Sequence, residues 1–277
     1  TEMQKILERM ASPSNQERLQ TSLQYLKSDR GDPVLLQQIS TFLNKHTFQD
    51  ELPQQAILND QVLDNDKLDM FLTHGVSHGL DMLCTTQTTR GDVVLIERPC
   101  YFLAAGIFQS HGLQVESLPM KRESSGALMV DVDALERGLE NGTIDVPRMI
   151  YIVPTHQNPT ASTMPTADRW KLCQLARKYG FLVAADEVYH LLDWRENKKE
   201  RPARFSVLDH LLSEQLQRDQ QESDPSTDNT NQQIGCSVSV SSFTKIFTPG
   251  VRCGWIEGPT EIIDSIVDLG YIQSQGG

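Results

Sequence analysis

Short, uninterrupted apolar runs recur at regular distances along this chain and restrict its fold more than any other feature. Val93-Val94-Leu95-Ile96, Met149-Ile150-Tyr151-Ile152-Val153 and Phe181-Leu182-Val183-Ala184-Ala185 have the length of strands, not of helices. A run without polar alternation predicts a strand buried on both faces. Between these runs the apolar spacing becomes helical: Leu80, Met82 and Leu83 after the turn Gly75-Val76-Ser77-His78, then Phe102 to Gln109, Val132 to Leu139 and Ala167 to Tyr179. Asp69-Met70-Phe71-Leu72, Val115 to Leu118, Val238-Ser239-Val240-Ser241 and Gly254-Trp255-Ile256 predict further strands, and Ile262 to Tyr271 a closing helix. Such alternation predicts an α/β fold, three layers α/β/α around a mainly parallel sheet.

Two stretches stand outside the alternation. Residues 1–66 are expected to be a helical lead-in, with helical spacing over Met3 to Met10 and Ser14 to Leu26. Gly31-Asp32-Pro33 then breaks the chain and places Pro33 in the first turn of a helix through Leu35, Leu36, Ile39 and Phe42. The second stretch, about 195–235, is charged from Arg195 to Arg204 and rich in Gln, Asp, Ser and Asn from Gln215 to Gln233. It is expected to be an exposed, partly disordered insertion, because it offers little apolar surface against the entropy of ordering.

Composition narrows the function classes. With 25 basic and 37 acidic residues the net charge is 25 − 37 = −12, which argues against a broad nucleic-acid footprint. The five cysteines Cys84, Cys100, Cys173, Cys236 and Cys253 form no C-x-x-C pair, so neither a disulfide framework nor a structural zinc site is expected. No apolar run approaches a membrane span, no signal peptide is apparent, and the cytoplasm is the expected compartment. Asn141-Gly142-Thr143 matches a glycosylation triplet of the kind that arises by chance at turns.

Open parallel sheets bind ligands beyond the carboxyl ends of their strands. In this chain Ser77 and His78 follow the strand near Phe71, and Tyr101 follows Ile96. Asn158 follows Val153, Asp186 and Tyr189 follow Ala185, and Ser242, Thr244 and Lys245 follow Val240. An aromatic ring, an amide, a carboxylate, a phenol, hydroxyls and a lysine would thus share one edge. Each has an ordinary alternative: a solvated lysine, an aspartate capping a helix, a core tyrosine, a turn asparagine. His74 and His78 stand four apart, but across a strand-to-helix turn, so a zinc pair is not expected. No G-x-x-x-x-G-K loop precedes Lys245.

Several segments resemble the class I/II aminotransferases, the fold-type-I pyridoxal-phosphate enzymes. They are Gly91 through Tyr101 (GDVVLIERPCY), Asn158-Pro159-Thr160, Asp186-Glu187-Val188-Tyr189, Ser242-Phe243-Thr244-Lys245 and Pro249-Gly250-Val251-Arg252-Cys253-Gly254-Trp255. The resemblance runs from Leu23 onward, and Leu23-Gln24-Tyr25 looks closest to the aminoadipate and aromatic aminotransferase branch. It implies pyridoxal 5'-phosphate as cofactor, amino acid and 2-oxo acid substrates, a homodimer, and no metal, nucleic acid or membrane partner. Lys245 would form the Schiff base and shuttle the substrate α-proton. Asp186 would pair with the protonated ring nitrogen, Tyr189 and Asn158 would hydrogen-bond the phenolic oxygen, and Tyr101 would stack on the ring. Ser77, His78, Ser242, Thr244 and Arg252 would hold the phosphate, joined by Tyr25 reaching a neighbouring subunit. The family usually carries Gln or a small polar residue where His78 stands, a departure that the His78 backbone amide would make good.

The resemblance further implies that residues 1–277 form the cofactor-binding large domain, with the smaller C-terminal domain and its carboxylate-binding arginine lying beyond Gly277. Alternatives remain open at this level: a lyase or decarboxylase on the same scaffold, a non-catalytic effector domain of a transcription regulator, or an inactive fragment.

Overall fold

The computed structural model describes residues 2–10, 12–16, 20, 28–46, 68–196, 201–223 and 235–269. Helix α1 spans Glu2–Met10 and α2 spans Pro33–His46. The start of α2 follows the sequence signal: Pro33 occupies its first turn, and the Asp32 carboxylate accepts the Leu35 amide at 2.7 Å. Most of the expected helix over Ser14 to Leu26 lies outside the described residues.

The alternating region begins with β1 (Asp69–Thr73), α3 (Val76–Gln87), β2 (Val93–Ile96), α4 (Phe102–Ser110) and β3 (Gln114–Ser117). A two-stranded ribbon of β4 (Met120–Arg122) and β5 (Leu128–Val130) follows, then α5 (Val132–Asn141) and β6 (Met149–Ile152). The chain continues through α6 (Thr166–Tyr179), β7 (Leu182–Asp186), α7 (Phe205–Ser223), β8 (Ser237–Ser242), β9 (Gly254–Gly258) and α8 (Thr260–Val267). Seven strands form one sheet in the order β1-β9-β8-β7-β6-β2-β3. The pairings from β8 to β3 are parallel, whereas β9 runs antiparallel to both β8 and β1. The mainly parallel α/β/α sandwich expected from the apolar runs is the fold observed.

Period-two alternation sends the two halves of each strand's side chains into separate cores. Ile150, Ile152, Val183 and Ala185 pack with α5, α6 and α7 on one face. Met149, Tyr151, Leu182, Ala184, Val238 and Val240 pack with α3, α4 and α8 on the other. A smaller cluster joins Ile39 and Leu43 of α2 to Met70 and Trp255 at the β1–β9 end.

One expectation needs correction. The stretch at 195–235 is not uniformly an insertion, because Phe205, Val207, Leu208, Leu211 and Leu212 are buried on the inner face of α7. Flanking polar residues hide this apolar stripe in any average over the segment, although its helical spacing is present. The polar residues from Gln215 to Ser223 continue the same helix, while 224–234 lie outside the described residues. The β4–β5 ribbon also escaped sequence reading, since three-residue strands carry too little periodicity to register.

Helix α7 is tied to the sheet by buried charge as well as by apolar contact. The Arg204 Nε donates to Glu257 Oε1 at 2.5 Å and the Ser206 hydroxyl to the same oxygen at 2.7 Å, all three residues being fully buried. Removing one member leaves the other charge without compensation in the core. Arg204→Ala is therefore expected to lower stability by about 3 to 5 kcal/mol, whereas Arg204→Met with Glu257→Leu loses far less. Urea denaturation of both variants checks this; equal losses would show that a stranded Glu257 charge is not the source of the penalty.

Candidate active site

A cavity of about 250 Å³ opens at the carboxyl ends of the parallel strands, and nine of the eleven residues singled out from the sequence line it. They are Ser77, Tyr101, Asn158, Asp186, Tyr189, Ser242, Thr244, Lys245 and Arg252. Tyr25 lies outside the described residues. His78 does not line the cavity: its Nδ1 accepts the His74 backbone amide at 3.1 Å, and the two rings stand 5.0 Å apart. Burial and the neighbouring His74 push the His78 imidazole below its ordinary range, as befits a neutral acceptor. A side-chain role for His78 toward a ligand in the cavity is thus not what the structure offers.

Asp186 ends β7, whose five residues are all buried. The Tyr151 hydroxyl donates to its Oδ2 at 2.9 Å, and the Val188 amide lies 3.4 Å from Oδ1. Burial outweighs these donors and the attraction of Lys245, so the carboxyl is pushed up to about 6. Lys245 sits on a single 3-10 turn, Phe243–Lys245, directly after β8. The Ser242 hydroxyl shapes that turn: it accepts the Thr244 amide at 3.1 Å and lies within 3.0 Å of the Cys253 carbonyl. The Lys245 ammonium stands 5.9 Å from the centroid of the Tyr189 ring.

Opposite this turn, Gly75 (φ 96°) ends the loop from β1 and begins α3 without any side-chain cap. The Arg252 guanidinium donates to the His74 carbonyl at 2.8 Å, and a Cβ at Gly75 would lie 2.9 Å from its Nη2. Glycine is required there both by the positive φ and by the approach of Arg252. Uncapped helix amides, a guanidinium and the hydroxyls of Ser77, Ser242 and Thr244 thus gather at one end of the cavity, a donor set suited to a phosphate.

A second layer supports the cavity wall, and sequence reading missed it. Glu97 follows β2, is buried, and accepts the Val153 amide at 2.8 Å; burial first, and Asp186 in addition, push its carboxyl up to about 7. Gln157 bonds the Pro99 carbonyl at 2.8 Å and accepts the Thr160 amide at 2.7 Å, joining the loop that carries Asn158 to the loop that carries Tyr101. Arg169 on α6 reaches under the same loop, donating to the Pro154 carbonyl at 2.7 Å and the Thr155 hydroxyl at 2.9 Å. The loop is strained at two non-glycine residues, His156 (φ 47°) and Ala161 (φ 58°). A tyrosine inside an apolar run was the one available signal for Tyr151, since a buried phenol needs a partner.

Two predictions follow from this geometry. Ala161 is exposed and in the left-handed region, so Ala161→Gly is expected to stabilise the fold by about 1 kcal/mol, read from thermal melting. Glu97 titrates in the folded chain at about 7 against 4.5 for the free group, so its burial costs nothing below the lower value and most above the higher. Glu97→Gln is expected to raise stability by about 2 to 3 kcal/mol near pH 8, with the gain shrinking as pH falls through 7 toward 4.5. A gain independent of pH would show that burial of the charge is not its source.

Comparison with known proteins agrees with the cavity. The family model described as aminotransferase class I and II matches residues 4–271. The chain is 29% identical over 231 residues to the aromatic amino acid aminotransferase C569.07 of Schizosaccharomyces pombe, covering 81% of this chain and 44% of that protein. It is 30% identical over 200 residues to aminotransferase swnA of Arthroderma benhamiae, covering 71% of this chain and 38% of that protein. The chain therefore spans less than half the length of these relatives. Among solved structures, the multiple substrate aminotransferase of Thermococcus profundus superimposes with a TM-score of 0.68 at 22% identity, over 97% of this chain and 54% of that one. The fold, the extent of the family match and the order of the cavity residues together make this chain a member of the class I and II aminotransferase family.

Proposed function

We propose that this protein is a pyridoxal-phosphate-dependent aminotransferase that moves an amino group from an amino acid to a 2-oxo acid, with Lys245 as its central amine. The observation that carries the reading is the shared cavity of Lys245 and Asp186, with a phosphate-type donor cluster at its end. The chemistry of the lining fits the cofactor. Asp186 is a buried carboxylate that, among the described residues, meets one phenol and one long amide contact, so a cation in the cavity would complete its balance.

When bound, the cofactor supplies an aldehyde conjugated to an electron-poor ring. Asp186 would hold the proton on the ring nitrogen, and Asn158 and Tyr189 would meet the phenolic oxygen. Tyr101 would cover the ring and shield it from water. Ser77, Ser242, Thr244 and Arg252 would bind the phosphate, together with the first amides of α3. Lys245 Nζ would hold the cofactor through its aldehyde, and its amine would take up and return a proton at the substrate's α-carbon. Two relatives in Schizosaccharomyces pombe, both named aromatic amino acid aminotransferases, favour an aromatic amino acid as substrate. Membership of the family supports a homodimer, and no helix among the described residues is long and apolar enough to cross a membrane.

Treatment with pyridoxal phosphate and borohydride is expected to label the peptide that contains Lys245. Lys245→Ala should abolish the label and lower turnover by roughly 10²- to 10⁴-fold. Asp186→Asn should keep the label yet lose most of its rate. Labelling of a different lysine, or full turnover by Lys245→Ala, would overturn the assignment. Stoichiometric pyridoxamine phosphate from an amino donor alone identifies transamination, whereas a lyase or decarboxylase would release product without accumulating it.

A further inference from the structure

The register of the sheet brings a phenol to Asp186. Tyr151 on β6 pairs with Ala184 on β7, and alternate residues of a strand share a face, so Tyr151 and Asp186 stand diagonally on the same side. Tyr151 is fully buried, with its ring edge-on to Phe108 at 5.5 Å and its hydroxyl 2.9 Å from Asp186 Oδ2. Among the described residues the other donor to this carboxylate is the Val188 amide, at a marginal 3.4 Å from Oδ1.

We infer that Tyr151 is a positioning residue of the active site: its hydroxyl fixes the rotamer of Asp186 by occupying Oδ2, leaving Oδ1 to meet a cationic group in the cavity. The inference rests on the reading of Asp186 as the partner of the cofactor's ring nitrogen. An apolar side chain would serve the core equally well at position 151, where Met149 and Val153 along the chain and the paired Ile96 and Ala184 are all apolar. The hydroxyl is therefore the part of Tyr151 that packing does not explain.

A donor to a carboxylate favours its charged form, and Tyr151 opposes in this way the burial that pushes Asp186 up. Other groups face the same carboxyl. Glu187, the residue after β7, disfavours its charge, while Lys245 beyond β8 favours it. Glu97 beyond β2 and Tyr101 at the start of α4 also interact with Asp186. Glu97 titrates close to the same range, so the test is best run with that group removed.

Cofactor-free protein carrying Glu97→Gln is titrated with pyridoxal phosphate, read by absorbance, between about pH 5 and pH 7.5. Three forms are compared: Tyr151, Tyr151→Phe, and 3-fluorotyrosine installed at position 151. The phenylalanine keeps the ring but removes the donor, and the fluorinated phenol is a stronger donor of nearly the same size. Cofactor affinity at the upper pH should fall roughly tenfold in the phenylalanine form. The pH below which binding weakens should move up for phenylalanine and down for fluorotyrosine. A purely structural role predicts no such opposed displacement. Identical midpoints in all three forms, or displacement of both variants in one direction, would overturn the inference while leaving the function intact. Should the phenylalanine form fail to fold, the absence of a downward displacement in the fluorotyrosine form would overturn it alone. If the Tyr151 form itself takes up no cofactor at Lys245, the functional reading fails and this inference with it.

Discussion

The end of β7 places two carboxylates side by side in a dry interior, and the surrounding structure treats them in opposite ways. Glu187 turns toward the α6–α7 face, where it accepts the Phe205 amide at 2.9 Å and lies 3.8 Å from Arg169. A guanidinium faces this charge within the protein, although Oε2 takes no hydrogen bond among the described residues and burial still pushes the carboxyl up. Asp186 turns to the other face, toward α3 and the cavity, where among the described residues it meets one phenol, one distant amide and no guanidinium. Burial of an ion without a full partner is costly, and evolution rarely keeps such a group unless a ligand completes it. The alternation of a β-strand thus separates a structural carboxylate from a functional one at adjacent positions.

Much of this arrangement can be read without coordinates, because it depends on local pattern. Consecutive apolar residues announced the strands, and the rule that ligands gather beyond their carboxyl ends placed nine residues around one cavity. Their roles came from the family resemblance, since a lysine after a strand has many uses. What stayed hidden depends on contacts between distant segments. Tyr151 finds Asp186 across two strands, Glu97 finds the Val153 amide from another, and Arg204 finds Glu257 through α7 and β9. None of these pairings leaves a periodic trace. The direction of the His78 side chain was equally hidden: it turns back to its own loop, a choice made by local geometry and not by residue type.

The loop after β6 shows how a rigid wall is made from an irregular segment. Gln157 bonds it to the loop after β2, Arg169 supports it from below, and Thr163 accepts the His156 amide at 3.1 Å. These contacts hold His156 and Ala161 in the left-handed region, where a side chain raises the energy of the backbone. Strain survives only where the surroundings over-determine the conformation, and the residue so held between the two strained positions is Asn158. Its amide is presented to the cavity by a loop with little freedom to move it away.

Among the described strands of the seven-stranded sheet, β9 alone runs against its neighbours. In a wholly parallel sheet the residues preceding a strand lie at the opposite edge from those following it. Strand β9 runs the other way, so that Gly254 at its start pairs with Ser242 at the end of β8 and with Thr73 at the end of β1. Arg252, two residues earlier, is thereby delivered to the edge where Lys245 and Ser77 already stand. Close approach makes the delivery possible: a Cβ at Gly254 would lie 2.8 Å from the Gly75 Cα and 2.7 Å from the Ser241 carbonyl oxygen, so only glycine fits. Reversing one strand lets an eight-residue stretch, Lys245 to Arg252, bring an amine and a guanidinium to the same cavity, and no long crossover is needed to do it.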